Sequence, residues 1–202
     1  MKKIIQIAGI ILLALVLIQI IIYVTDRQAL DLPLKEAIFE YKGKYITKGS
    51  GKPITMVAPP HYIEFERVFE KDGLPHLLLA FTANQSRDFA VILVKKEDGF
   101  YLKNGKDMVL VIPREVKRGQ KWEINMGSEI ITARVGKSRK IETGLGQYES
   151  RELFFQNQSR ARVRIWIHQD VGITALHYSY LGGGPSRNEA DLVLKSIKGL
   201  DK

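Results

Sequence analysis

Cysteine is absent from all 202 residues of this chain, and its absence removes several kinds of chemistry. The sequence cannot form a disulfide framework, a thiolate metal site or a cysteine nucleophile. It also cannot carry a lipid on an N-terminal cysteine, as bacterial lipoproteins do. A chain without disulfides fits a bacterial domain that folds outside the cytoplasm without covalent cross-links.

Motifs that would position a nucleophile or a phosphate are also missing. No Gly-x-Ser-x-Gly elbow accompanies His177 and Ser179, and no Gly-Lys-Ser/Thr follows the glycines at 182–184. Glu64 and Glu66 would share one strand face, as a glycosidase pair does, but this spacing is typical of solvated strand residues. We therefore predict no catalytic residue, and we keep an envelope hydrolase only as an alternative.

Long apolar runs are rare in this sequence, and the one clear example lies at the start. Residues 4–24 are mostly Ile, Leu, Val and Ala after Lys2 and Lys3. At about 1.5 Å per residue, this segment reaches about 30 Å as a helix, which is the thickness of a bilayer core. It is longer than a signal-peptide core, and no Ala-x-Ala cleavage site follows it. We predict a single-pass membrane anchor in residues 1–27, with the C-terminal part outside the cytoplasm.

The formal net charge is +9, and most of it belongs to the part of the chain after the apolar segment. Such a basic surface suits nucleic acid, an anionic lipid or an anionic cell-wall polymer. A domain outside the cytoplasm rarely meets nucleic acid. The expected partners are therefore the membrane through residues 4–24, and beyond it an anionic lipid, a wall polymer or another envelope protein.

Short β-type runs alternate with turn signals from His61 onward, which predicts an all-β domain over residues 61–202. We expect a curved antiparallel sheet, barrel-like or sandwich-type, after one N-terminal transmembrane helix. Residues 28–60 are interpreted as a connector with a first β segment. Within it, residues 31–41 fit either a short helix or an extended connector, and residues 42–60 predict a loop around one short strand at Ile54–Val57.

The last segment, residues 190–197, has two interpretations. Ser186 and Glu189 have the spacing of a capping box, which would begin a helix. The alternation of apolar and polar side chains that follows favours a strand. We predict a strand.

Short motifs between Leu110 and Leu176 resemble those of a group of bacterial secreted and lipoprotein-type β-domains of unknown function. The residues that carry the resemblance are Val111 to Pro113, Gly119 and Trp122, Gly144 to Tyr148, and Trp166 with Asp170 to Gly172. The resemblance covers about a third of the chain. It implies a curved antiparallel sheet outside the cell membrane, and it transfers no catalytic residue. From the residues alone, Gly119 and Gly172 predict tight turns, Pro113 a strand end, and the two tryptophans core positions.

The segment from Ser159 to Asp170 carries the candidate binding site. In a strand, successive side chains point to opposite faces, so the residues with even numbers share one face that is basic at its start and ends in an aromatic ring and an imidazole. Arginine pairs with phosphate or carboxylate, so this face predicts an anion-binding site. The alternative is a solvated strand face on which arginine stems cover the sheet. The predicted ligand-binding residues are Arg160, Arg162, Arg164, Trp166 and His168.

Histidines are few, and their spacing is not that of a metal site. His168, Asp170 and His177 are the only combination worth weighing, but a pair of histidines near an acid is common by chance. We predict no metal and no cofactor.

The sequence therefore predicts a membrane-anchored, extracytoplasmic binding or scaffold domain that is not an enzyme. The main alternative is an envelope carrier of lipid or lipoprotein, in which the curved sheet encloses an apolar cavity. A concave face lined by apolar side chains would favour the carrier, and a solid core would exclude it.

Overall fold

A computed structural model describes residues 28–29, 36–83, 86–104, 107–159, 161–181 and 187–199. The predicted anchor at residues 4–24 and the predicted site residue Arg160 lie outside the described residues. Among the described residues, no helix has the length and apolarity needed to cross a bilayer.

The described residues form an antiparallel all-β structure. Its strands are β1 (Gln28–Ala29), β2 (Ala37–Lys48), β3 (Ile54–Val57), β4 (His61–Lys71), β5 (Leu74–Ala83), β6 (Ser86–Lys96), β7 (Gly99–Asn104), β8 (Asp107–Pro113), β9 (Glu115–Val116), β10 (Lys121–Asn125), β11 (Ile130–Thr143), β12 (Gly146–Asn157), β13 (Arg162–His168), β14 (Gly172–Leu181) and β15 (Arg187–Lys198).

Two meanders share one continuous sheet, and β2 joins them. The first meander runs from β4 to β8 and the second from β10 to β15, while β2 pairs with β15 on one side and with β4 and β3 on the other. The sheet curves until its outermost strands, β8 and β10, lie close to each other. The result is a nearly closed, barrel-like sheet, so the predicted all-β fold class is confirmed. The short strands β1 and β9 form a separate pair.

Several local predictions are confirmed. The strand β3 has the predicted bounds Ile54–Val57, and the segment from Arg187 to Lys198 is a strand rather than a helix. Pro113 is the last residue of β8. Gly119 and Gly172 have φ angles of 81° and 83°, the left-handed conformation that glycine adopts without strain.

The prediction of a loop from residue 42 is wrong, because β2 continues to Lys48. Local composition there is polar and flexible, but β15 pairs with this stretch along its whole length. At Gly43 the two backbones approach so closely that a β-carbon would collide with the carbonyl oxygen of Asp191. Gly43 is therefore required for strand packing and does not mark a loop.

The two ends of the barrel-like sheet differ. At one end, which we name the mouth, β2, β5, β12 and β14 end and β4, β6, β13 and β15 begin. At the other end, which we name the packed end, β2 begins and the β4–β5 and β6–β7 turns lie. The interior near the packed end is a continuous apolar core. Its largest members include Phe39, Phe65, Leu77, Phe100, Leu153 and Ile167.

Candidate functional site: an apolar cavity and a basic groove at the mouth

The interior of the sheet is not filled at the mouth, where an apolar cavity of about 420 Å³ lies. The cavity lies between the inner faces of β4–β5 and β13–β14. Its side chains are almost all apolar: Ile63, Leu79, Phe81, Ala161, Val163, Leu176, Tyr178 and Tyr180, with Arg162 and Ser179 at its edge. The volume is in the range of ligand sites, about 300–1,000 Å³.

The cavity is open to solvent on the side of β13 and β14. Val163 is 39% exposed and Tyr180 is 48% exposed, although both belong to the inward-facing rows of their strands. Large apolar side chains at such exposure lose the benefit of burial, which is worth about 1.5–3 kcal/mol for a fully buried valine or leucine. An apolar ligand in the cavity would recover part of that free energy.

A polar cluster of His61, Tyr45 and Tyr178 adjoins the cavity, which Tyr178 lines. His61 is fully buried, and its Nδ1 lies 2.7 Å from the carbonyl oxygen of Pro59. Because a carbonyl only accepts, Nδ1 carries a proton and donates it. In the neutral ring, Nε2 then accepts a hydrogen bond from the hydroxyl of Tyr45, 2.6 Å away. The hydroxyl of Tyr178 donates to that of Tyr45 at 3.3 Å.

Tyr178 and Tyr180 also line a smaller cavity of about 210 Å³. The smaller cavity has a mixed lining that includes Tyr45, Thr47, Asn188 and Glu189. The side-chain hydroxyl of Thr47 donates to the amide oxygen of Asn188 at 3.1 Å. The mouth thus offers an apolar space beside a polar one, which is the arrangement that an amphiphile requires.

A second concave region, which we name the basic groove, lies on the outer face of β10–β13 at the same end. It has a volume of about 690 Å³. Its lining combines four cations with amide side chains and one carboxylate: Lys121, Arg134, Arg162, Arg164, Gln156, Asn157, Gln158 and Glu123.

Cross-strand pairing positions the cations of the basic groove. Arg134, Phe154 and Arg164 are direct neighbours on β11, β12 and β13. The two guanidinium carbons lie 4.9 Å and 5.6 Å from the centre of the Phe154 ring, within cation–π distance. The ring thus holds the two arginines side by side. Their positive charges make the groove suitable for an anion.

Arg162 adds an unsatisfied donor. Its Nε atom is buried and has no hydrogen-bond partner among the described residues. A buried donor without a partner costs about 1–3 kcal/mol, so this atom has an unmet requirement for an acceptor. Arg162 also borders the apolar cavity, and it is the residue common to both concave regions.

Of the predicted site residues, the structure brings Arg162 and Arg164 together but separates Trp166 from them. Trp166 is only 6% exposed and belongs to a small second core with Ile141, Ala175 and Val193. Beyond the irregular register at residues 135–138, the β11–β12 hairpin extends over this face. The guanidinium carbon of Arg139 lies 4.0 Å above the indole ring. Both tryptophans therefore lie in cores, since Trp122 packs against the main core, which agrees with their interpretation as core anchors and not with Trp166 as an accessible site residue.

His168 lies beyond Trp166, outside the groove. Its ring is 5.2 Å from that of Tyr148, and its Nδ1 accepts a hydrogen bond from the backbone N–H of Asp170 at 3.2 Å. His177 instead pairs with Asp191 at 2.6 Å. No group of three or more metal-ligating side chains occurs within the described ranges.

The residues that sequence reasoning missed are those that only strand pairing assembles. Arg134 and Phe154 join Arg164 through register, and Lys121 pairs with Arg134 from β10. Their alternation along each strand was readable, but the order of strands across the sheet was not. The cavity has no local signal at all, because its walls come from strands about 100 residues apart in sequence.

The comparisons with known proteins inform the fold. The structure of a protein from Bacteroides fragilis, described as exported and with a YmcC-like fold, superposes with a TM-score of 0.52. It shares 11% identity, and the match covers 85% of this chain and 100% of that one. A protein from Parabacteroides distasonis described as a lipoprotein superposes with a TM-score of 0.45 at 10% identity, over 84% of this chain and 99% of that one.

No model of a known family matches this chain, and no curated protein matches it. At this low identity, the likeness to the Bacteroides fragilis protein shows the fold alone. The resemblance to bacterial secreted β-domains agrees with it at that level, while the motifs quoted for the resemblance stay a prediction.

Proposed function

We propose that this chain is a non-enzymatic binding domain of the bacterial cell envelope, and that it holds the apolar part of an amphiphilic ligand in the cavity at the mouth. The observation that carries the proposal is the unfilled, apolar, open cavity in an otherwise packed interior. The sequence-based expectation of a carrier required an open concave face lined by apolar side chains, and the cavity has that character.

The location outside the cytoplasm has independent support. The apolar run at residues 4–24 predicts an anchor, and the protein of similar fold from Bacteroides fragilis is described as exported. The lack of cysteine means that this chain cannot use the lipid attachment of a lipoprotein.

The position of β1 indicates how the proposed site is oriented relative to the anchoring membrane. Gln28 and Ala29 pair with β9, which follows β8 at the packed end. A membrane segment that ends at residue 24 lies within about 14 Å of Gln28, since one extended residue spans at most about 3.6 Å. The mouth is on the order of 35 Å away along β2. The cavity would therefore face away from the anchoring membrane, as suits a carrier that exchanges its ligand with a partner.

A photo-cross-linking experiment in intact cells tests the binding function. Cells that produce the full chain are fed a palmitate analogue with a diazirine, irradiated before extraction, and the labelled peptides are mapped. We expect label on β4–β5 or β13–β14, and we expect Val163→Phe to abolish it by filling the cavity. Val57→Phe is the matched control, because Val57 is 89% exposed on a strand that does not line the cavity. Labelling confined to residues 4–24, or unchanged in Val163→Phe, would contradict the proposal.

The proposed direction of the mouth has its own test. Because the chain lacks cysteine, Glu97→Cys at the packed end and Ser50→Cys near the mouth each give one labelling site. Both positions are exposed. With the full chain in vesicles that contain a spin-labelled lipid, a dye at residue 97 should be quenched more strongly than one at residue 50. Equal or reversed quenching would exclude the orientation.

A further inference from the structure

We infer that the ligand of the cavity is an anionic amphiphile, and that its phosphate or carboxylate group binds in the basic groove, with Arg162 as the central contact. This inference rests on the proposed function for the apolar part of the ligand. It goes further by naming the charge and chemistry of the head group and the residues that select it.

The apolar cavity and the basic groove are neighbours at the mouth. They lie on opposite faces of β13 at the mouth and meet where β12 ends and β13 begins. Asn157 and Gln158 line the groove, while Ala161, a few residues later, lines the cavity. A ligand that leaves the cavity beside Ala161 therefore reaches the groove beside Asn157.

Asn157 and Ala161 are joined by hydrogen bonds where the two regions meet. The backbone N–H of Ala161 donates to the side-chain oxygen of Asn157 at 2.8 Å, and the backbone N–H of Asn157 donates to the carbonyl oxygen of Ala161 at 3.2 Å. These two hydrogen bonds join the last residue of β12 to the residue before β13. Hydrogen bonds thus hold Asn157 and Ala161 together where the two regions meet, which reduces the ordering that a ligand would have to impose on these two residues.

The groove carries an excess of positive charge. Four cations line it against the single carboxylate of Glu123. Glu152, beside the groove, lies 3.6 Å from Arg164 and offsets part of that charge. Within the described part of the chain, Lys121 and Arg134 form no ion pair. An excess of positive charge remains, and it lies around the unsatisfied Nε of Arg162.

The donors of the groove suit a phosphate or carboxylate group. Guanidinium groups form paired, charge-assisted hydrogen bonds with phosphate and carboxylate oxygens. The amides of Gln156, Asn157 and Gln158 add neutral donors, which suit the ester or hydroxyl oxygens next to such a group. A neutral head group would leave the buried donor of Arg162 without an ionic acceptor.

Competition against the diazirine palmitate tests this inference on the full chain held in nanodiscs. Oleoyl lysophosphatidate is the anionic competitor and monooleoylglycerol is the neutral one, with the same acyl chain. We expect the anionic lipid to compete at about tenfold lower concentration, which corresponds to one charge-assisted contact. We expect high salt to reduce this preference.

Arg162→Gln should abolish the preference for the anionic lipid over the neutral one. Arg134→Gln should reduce it, and Arg139→Gln is the matched control, since Arg139 lies over Trp166 and outside the groove. Equal competition by the two lipids, or an unchanged preference in Arg162→Gln, would overturn the inference while the proposed function stands. Failure of both lipids to compete would instead count against the proposed function.

A soluble anion distinguishes the source of the phosphate. Glycerol phosphate has the head group without the acyl chain, and we expect it to compete only weakly. If glycerol phosphate bound as tightly as the lysolipid, and bound equally well to Val163→Phe, the groove would serve a soluble anion and the link to the cavity would be wrong.

Discussion

The two ends of the interior use similar side chains but differ in how completely these side chains pack. On β5, Leu77 is 1% exposed in the main core, while Leu79, two residues later on the same face, lines the open cavity. Both follow from the same alternation of inward and outward positions. Apolar character along a strand therefore does not decide whether the space beside it is filled. Strand separation and neighbouring side chains across the sheet decide that.

The energetic consequence is that the fold depends on the packed end, and the mouth is available for binding. Phe39 and Phe65 meet edge to face with ring centres 5.0 Å apart, and Leu153 and Ile167 beside them are fully buried. At the mouth, Tyr45, Tyr178 and His61 satisfy one another through hydrogen bonds. The mouth thus combines these polar contacts with an apolar cavity that is not filled.

The same substitution should reduce stability by different amounts at the two ends, and this is the largest change that we expect. Leu77→Ala should lower the free energy of unfolding by about 2–5 kcal/mol, because it leaves a cavity in a close-packed core. Leu79→Ala should cost less than half as much, because the side chain already borders open space. Urea unfolding of both variants measures the difference. Equal losses would show that the mouth is as tightly packed as the other end.

Substitutions that add volume, instead of removing it, should also have different effects at the two ends. Ala37 is 4% exposed in the main core, so Ala37→Leu should overpack it and cost about 1–3 kcal/mol. Ala161 lines the cavity, so Ala161→Leu should leave stability within about 0.5 kcal/mol of the wild type, as surface substitutions usually do. Thermal unfolding checks both. A loss of similar size in Ala161→Leu would mean that the cavity cannot accept an extra side chain.

The contrast between the ends also explains what could be predicted from the sequence. The strand β13 shows this well: alternation placed Arg162 and Arg164 on one face and Ile165 on the other, and the structure confirms it. The same alternation predicted an accessible Trp166, which the β11–β12 hairpin covers. Alternation reports the face of a strand, but it does not report which other strand lies over that face.

Long-range pairing accounts for the rest. The stretch from Lys42 to Lys48 has loop-like composition and becomes a strand because β15, about 145 residues later, pairs with it. Gly43 and Asp191 show the reason, since the close approach of their backbones is visible only once the strands are aligned. The cavity between β4–β5 and β13–β14 arises in the same way and could not be inferred from any one segment.

The smallest expected effect concerns the ion pairs that join β2 to β15, one toward each end. Lys48 and Glu189 pair at 2.7 Å toward the mouth, and Lys195 donates to Glu40 at 2.7 Å toward the packed end. The hydrogen bond from Lys195 and then that from Ser196 hold the pKa of Glu40 below its ordinary value of 4.5. Lys195 is half exposed, so solvent screens the pair and its contribution is small.

The sign of the pH dependence follows from the direction of that shift. Because the folded state lowers the pKa of Glu40, its stabilising contribution is complete above pH 4.5 and is lost as the pH falls through the lower, folded-state value. The stability difference between wild type and Glu40→Gln should therefore be constant near neutrality and shrink with acidification below pH 4.5. Chemical unfolding across this range measures it, with Glu189→Gln as the matched loss of a carboxylate at the mouth. A difference that stays constant at every pH would show that the pair at the packed end does not perturb Glu40.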